Sequence, residues 1–239
     1  MTDMRTREQH GESSQDTVVG LHPESLSLRI PAGGVMLSGD LEVPEFAVGL
    51  VLFAHGSGSS RLSVRNRAVA GTLRQHGLAT LLFDLLTPSE EAEDAHTGHL
   101  RFDIGLLARR LAMVTQEMID DPHSHGLPLG YFGASTGGAA ALMAAAGLGE
   151  KIGAVVSRGG RPDLAGESLH YVKAPTLLIV GERDEEVLRL NRGAYDELRC
   201  EKSLAVVPNA THLFEEPGTL PEVARLAAEW FRKQFQLRR

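Results

Sequence analysis

Gly133-Ala134-Ser135-Thr136-Gly137 sets a serine between two glycines where an apolar run, residues 129–132, gives way to an alanine-rich segment. That is the layout of a nucleophile elbow, a turn from strand to helix so tight that the serine adopts an unfavourable backbone conformation and its neighbours two away must be small. Ser135 Oγ is then expected to stand clear at the carboxyl edge of a sheet. The N-terminus of the following helix and the Thr136 N–H would face any oxyanion forming beside it.

A hydroxyl nucleophile needs a base, and the base needs an acid to fix its tautomer and stabilise its cation. Residues 175–180 read as a buried strand that stops at Gly181-Glu182-Arg183-Asp184, and residues 203–207 as a second one ending in Pro208-Asn209-Ala210-Thr211-His212. The order Ser135, Asp184, His212 therefore puts each group in a loop after a strand. In an open parallel sheet those loops emerge on one edge, where ligands bind. Glu182 is the rival acid. Upstream, the strand expected over 48–54 runs into His55-Gly56-Ser57-Gly58-Ser59-Ser60, a glycine-rich loop whose backbone N–H groups can approach a reacting carbonyl oxygen. Ser57 N–H, or else that of Gly58, is expected as the second oxyanion donor beside Thr136.

On His55-Gly56-Ser57-Gly58, Gly133-x-Ser135-x-Gly137, Gly181-x-x-Asp184 and Thr211-His212-Leu213-Phe214, the chain resembles the α/β-hydrolases, most closely their dienelactone-hydrolase-like branch with little or no lid. The resemblance covers nearly everything from about residue 25 onward. It implies a Ser135–His212–Asp184 triad and an acyl-enzyme route to cleavage of a small ester, thioester or lactone, with no cofactor. The namesake enzymes lead one to expect a cysteine nucleophile, and here the elbow holds Ser135. A general ester, thioester or lactone is favoured over dienelactone itself.

The 239 residues, 42% hydrophobic, suffice for a large core and suggest one domain over 18–239 behind a polar, flexible arm over 1–17. A net charge of −7 argues against nucleic acid, which needs a basic surface. No apolar run approaches the roughly 20 residues of a membrane helix, and no signal-peptide core is visible, so a soluble cytoplasmic protein is the default. The single cysteine, Cys200, is expected in a helix as a structural thiol. A small-molecule substrate is the expected partner, with monomer and homodimer both open.

Residues 26–30 and 35–43 alternate around a Pro-Ala-Gly-Gly turn, predicting an edge hairpin. Six further strands are predicted near 48–54, 79–83, 127–132, 152–157, 176–180 and 203–207. Helices are predicted near 65–76, 100–120, 136–148, 187–199 and 221–236. Right-handed crossovers make this a doubly wound, mostly parallel eight-stranded α/β sheet flanked by helices. The connection 156–174 leaves room for one or two helical turns, hence a minimal lid. Residues 85–97 are expected as a solvated acidic loop, with a mobile gate as the alternative.

Arg158, after a strand at the catalytic edge, and Arg61, after the oxyanion loop, could each grip a substrate carboxylate or phosphate, with Gly58 beside them. Pairing with local acids such as Asp163 is the competing reading for these arginine clusters. His96-x-x-His99 and His123-Ser124-His125 have ligand-like spacing, but neither motif has a nearby cysteine or a carboxylate on a rigid element to complete a ligand set, and no metal is expected. Two further readings stay open: a binding module that has lost turnover on this fold, and acyl transfer or perhydrolysis in place of hydrolysis.

Overall fold

The computed structural model of the chain describes residues 24–238. The arm expected over 1–17, and the first residues of the 18–239 unit, lie outside them. Within them the chain alternates β1 (Glu24–Ala32), β2 (Val35–Val43), β3 (Leu50–Ala54), α1 (Val64–Gln75), β4 (Ala79–Phe83), α2 (Pro88–Thr97), α3 (Ile104–Asp120), β5 (Leu129–Ala134), α4 (Thr136–Leu148), β6 (Ile152–Arg158), β7 (Thr176–Gly181), α5 (Glu185–Glu197), β8 (Lys202–Val207) and α6 (Thr219–Gln236). A kinked 3-10 segment, Pro162–Tyr171, links β6 to β7.

One eight-stranded sheet runs β1-β2-β4-β3-β5-β6-β7-β8. The β1–β2 hairpin joins it antiparallel through β4, and all other pairs are parallel. β3, β4, β5, β6 and β7 are buried along their whole length, as their uninterrupted apolar runs require. α1 and α6 pack on one face, where Phe231 and Phe235 join Phe53, Phe132 and Val156. Gly49, Gly130 and Gly153 leave the trough that the Phe235 ring fills. α3, α4 and part of α5 cover the other face. The chain leaves β3 toward β4 on one side and returns to β5 on the other. The order thus reverses at β3/β5, where both the oxyanion loop and the Ser135 turn emerge.

The acidic stretch expected as a loop is a helix instead. Thr87 caps α2, taking the Glu90 N–H while the Glu90 carboxylate takes the Thr87 N–H, with Pro88 in the first turn and Gly98 closing the end at φ 69°. Glu90 also grips the buried Arg110, which holds its carboxyl down at about pKa 2. Thr87-x-x-Glu90 was the sequence signal for this helix. Cys200 lies in the turn after α5 rather than inside a helix; its half-buried thiol donates to Thr176 Oγ1 at 3.7 Å, and burial pushes its pKa up. The 3-10 segment packs on α4 and α5. Among the described residues no helix is long and apolar enough to cross a membrane.

Candidate active site

Ser135 occupies the turn from β5 into α4 at φ 51° and ψ −122°. Backbone of this kind costs a non-glycine residue about 1–3 kcal/mol and persists only when its surroundings over-determine it. Here they do so. Ser135 N–H donates to the Arg158 carbonyl at 3.3 Å, and its own carbonyl accepts from Gly138 at 3.0 Å and Arg161 at 3.1 Å. A Cβ on Gly133 would stand 2.5 Å from the Gly137 carbonyl oxygen, and one on Gly137 would collide with the carbonyl oxygen of Ala54. The two glycines of the motif are therefore steric requirements of this turn.

His212 follows β8 and donates or shares its Nδ1 proton with Asp184 Oδ2 at 2.6 Å. Asp184, immediately before α5, is mostly buried, whereas the imidazole is 40% exposed. With Nδ1 engaged by Asp184, Nε2 is the ring nitrogen left open. Glu182, the rival acid, faces elsewhere: its Oε2 accepts the Asn209 N–H at 2.7 Å. Glu216 accepts from Thr211 N–H at 3.1 Å and Thr211 Oγ1 at 2.6 Å, and these bonds hold its carboxyl below the usual carboxylate range. Glu182 and Glu216 thus brace the loop that presents His212. Ser135 and His212 line one cavity of about 240 Å³ together with Ser57, Arg65, Asn66 and Arg158.

The loop after β3 is fixed from behind by His55. Its Nε2 accepts the Leu85 N–H at 3.0 Å, so the proton sits on Nδ1, which donates to the Gly56 carbonyl at 3.0 Å. Burial lowers the His55 pKa and keeps the ring neutral. Gly56 comes close to the elbow, where an added Cβ would lie 3.0 Å from Ser135 Cβ. At this distance the Thr136 hydroxyl reaches across, and Ser57 N–H is donated to Thr136 Oγ1 at 2.9 Å. The expected second oxyanion donor is therefore engaged in this state. Thr136 is the first residue of α4, so its own N–H has no acceptor inside the helix. Gly58, at φ 68°, lines a neighbouring cavity of about 460 Å³ and not the Ser135 cavity.

The arginines expected at the substrate separate sharply. Arg61 is drawn away: its guanidinium pairs with Asp84 and lies 3.4 Å from Asp40, its N–H donates to Asp84 at 2.8 Å, and it lines neither cavity. Two carboxylates reach it first, which corrects the substrate-binding expectation for Arg61. Arg161 is held by both oxygens of Asp163 at 2.9 and 2.8 Å. Arg158 does line the Ser135 cavity. Asn66, which no motif marked, is buried beside it.

No family model matches the chain. A solved dienelactone hydrolase from Anabaena variabilis ATCC 29413 is 57% identical and superposes with a TM-score of 0.87, covering 89% of this chain and 98% of that one. Est1E from Butyrivibrio proteoclasticus, at 18% identity, shares the fold with a TM-score of 0.73 over 88% of this chain and 99% of its own. A Mycobacterium tuberculosis H37Rv protein provisionally named a phosphoribosyl transferase is 58% identical over 204 residues, 85% of this chain. Those residues make up 45% of that relative, so the chain spans under half its length.

Proposed function

The chain belongs to the dienelactone hydrolase-like branch of the α/β-hydrolases, and from that premise we propose that it is a serine hydrolase cleaving a small ester, thioester or lactone. The observation that carries the reading is the His212 Nδ1–Asp184 Oδ2 contact of 2.6 Å opening on the cavity that the strained Ser135 also lines. Ser135 Oγ attacks the carbonyl carbon as His212 Nε2 takes its proton, and the developing oxyanion binds the Thr136 N–H. Ser57 N–H joins by exchanging its hydroxyl acceptor, Thr136 Oγ1, for the oxyanion. His212 returns the proton to the leaving alcohol or thiol, and the acyl-Ser135 ester forms. Water, deprotonated by His212, then releases the acid and restores Ser135. Asp184 orients the ring and stabilises the imidazolium.

The transferase name belongs to a protein more than twice the matched length, and the chemistry supported by this chain's own residues is acyl cleavage. The test is intact mass after incubation with a fluorophosphonate, alongside hydrolysis of 4-nitrophenyl acetate. Wild type is expected to gain one adduct and to turn over the ester; Ser135→Ala does neither. A folded wild type that takes no label overturns the reading.

A further inference from the structure

Resting on the hydrolase reading, we propose that the Ser135 cavity holds an anionic group of the substrate, a carboxylate or a phosphate, between Arg158 at the end of β6 and the N-terminal turn of α1. The guanidinium of Arg158 is buried, with the whole residue 7% exposed, and among the described residues it meets no carboxylate. Among the described residues its side-chain hydrogen bond runs from Nη2 to the neutral Asn66 Oδ1 at a long 3.4 Å, Nε is buried with no acceptor, and the group lies over the Phe214 ring, 5.8 Å from its centroid. Burying a charge that nothing pairs is costly, and structures rarely keep one without a use.

The surroundings add positive character where proteins usually neutralise it. Arg65 lines the same cavity and its charge, after burial, pushes the Arg158 pKa down to about 10. Glu215, the partner of Arg65, is itself largely exposed. The first turn of α1, which supplies Arg65 and Asn66 to the wall, carries no acidic residue. Its N-cap, Ser63, takes the Asn66 N–H, while the dipole end faces the same space. The acid beside the cavity, Asp184, is committed to His212. Neighbouring arginines are compensated where Arg158 is not: Arg61, in the loop after β3, is neutralised by two aspartates and Arg161, in the loop after β6, by one. A substrate carrying its own anion supplies the missing counter-charge, and the carbonyl beside it is thereby oriented toward Ser135.

The test compares three esters of one length: mono-4-nitrophenyl succinate, 4-nitrophenyl 3-phosphonopropanoate and the neutral 4-nitrophenyl 4-oxopentanoate. Wild type is expected to prefer at least one anionic ester over the neutral one by tenfold or more in kcat/KM, mainly through KM. Whether the carboxylate or the phosphonate leads identifies the source of the anion. Arg158→Leu should collapse that anionic-to-neutral ratio at least tenfold, and Arg158→Lys should restore part of it. An equal fall for all three esters in Arg158→Leu, or no preference in wild type, overturns the proposal. Binding of succinate and 3-phosphonopropanoate to the Ser135→Ala protein, by calorimetry, separates the two ideas. Anion binding lost in Ser135→Ala/Arg158→Leu supports the site even if no ester is turned over. Turnover without any anion binding retains the hydrolase and removes the site. Thermal melting of each variant shows whether it is folded.

Discussion

The two arms of the candidate site are built by different forces. On the Ser135 side the backbone does the holding: a residue at φ 51°, glycines that no Cβ can replace, and carbonyl and amide groups locked to one another. On the His212 side, side chains do it. Asp184 holds the ring, Glu182 and Glu216 hold the loop, and a half-exposed imidazole sits at the end of these contacts. A backbone-built site is intolerant of any added atom. One held by side chains yields by degrees, one hydrogen bond at a time.

The largest effect should come from the rigid arm. Gly137→Ala drives a methyl into the Ala54 carbonyl, with no flexible side chain to move aside, and should cost several kcal/mol, about 3 or more, removing cooperative unfolding and labelling together. A soluble Gly137→Ala protein with a wild-type Tm would break the contrast. Next, Asp184→Asn leaves the shape but lets the wrong His212 tautomer form, and kcat for 4-nitrophenyl acetate should fall by about 10³–10⁴ with little change in Tm. Glu182→Gln should lose less than about tenfold; a severe loss there with a mild one at Asp184 would transfer the acid's role to Glu182.

Smaller effects sharpen the description of the side-chain arm. Because the Glu216 carboxyl is lowered by its bonds to Thr211, it lends stability above its unfolded pKa and loses it as pH falls through the lower folded value. Glu216→Gln should therefore lower Tm near neutral pH and show a shallower decline in acid than wild type, and parallel melting curves would exclude this brace. Finally, Thr136→Val frees the Ser57 N–H from its hydroxyl and should raise kcat/KM by about two- to threefold. A fall beyond tenfold would mean that the hydroxyl positions the oxyanion loop.

The contrast also explains what could be read in advance. The sheet, its strand order along the chain, and the placement of Ser135, Asp184 and His212 after strand ends followed from runs of buried residues and from glycine at positions where sterics admit nothing else. The α2 helix was misjudged because its acidic composition outweighed the cap at Thr87-x-x-Glu90. Asn66 and Glu216 left no mark, since a polar residue reveals its role only through the group it meets in space.

Sequence by itself determined the elbow, the edge of the sheet where the candidate site lies, and the candidate nucleophile, base and acid, because these rest on local backbone limits and strand order. The tertiary structure decided which acid faces His212, that Ser57 N–H is already engaged, and which arginine remains uncompensated. Arg61 and Arg158 look alike as letters in a chain. Their difference is the presence or absence of a carboxylate within a few ångströms, and that distance is set only when distant segments pack.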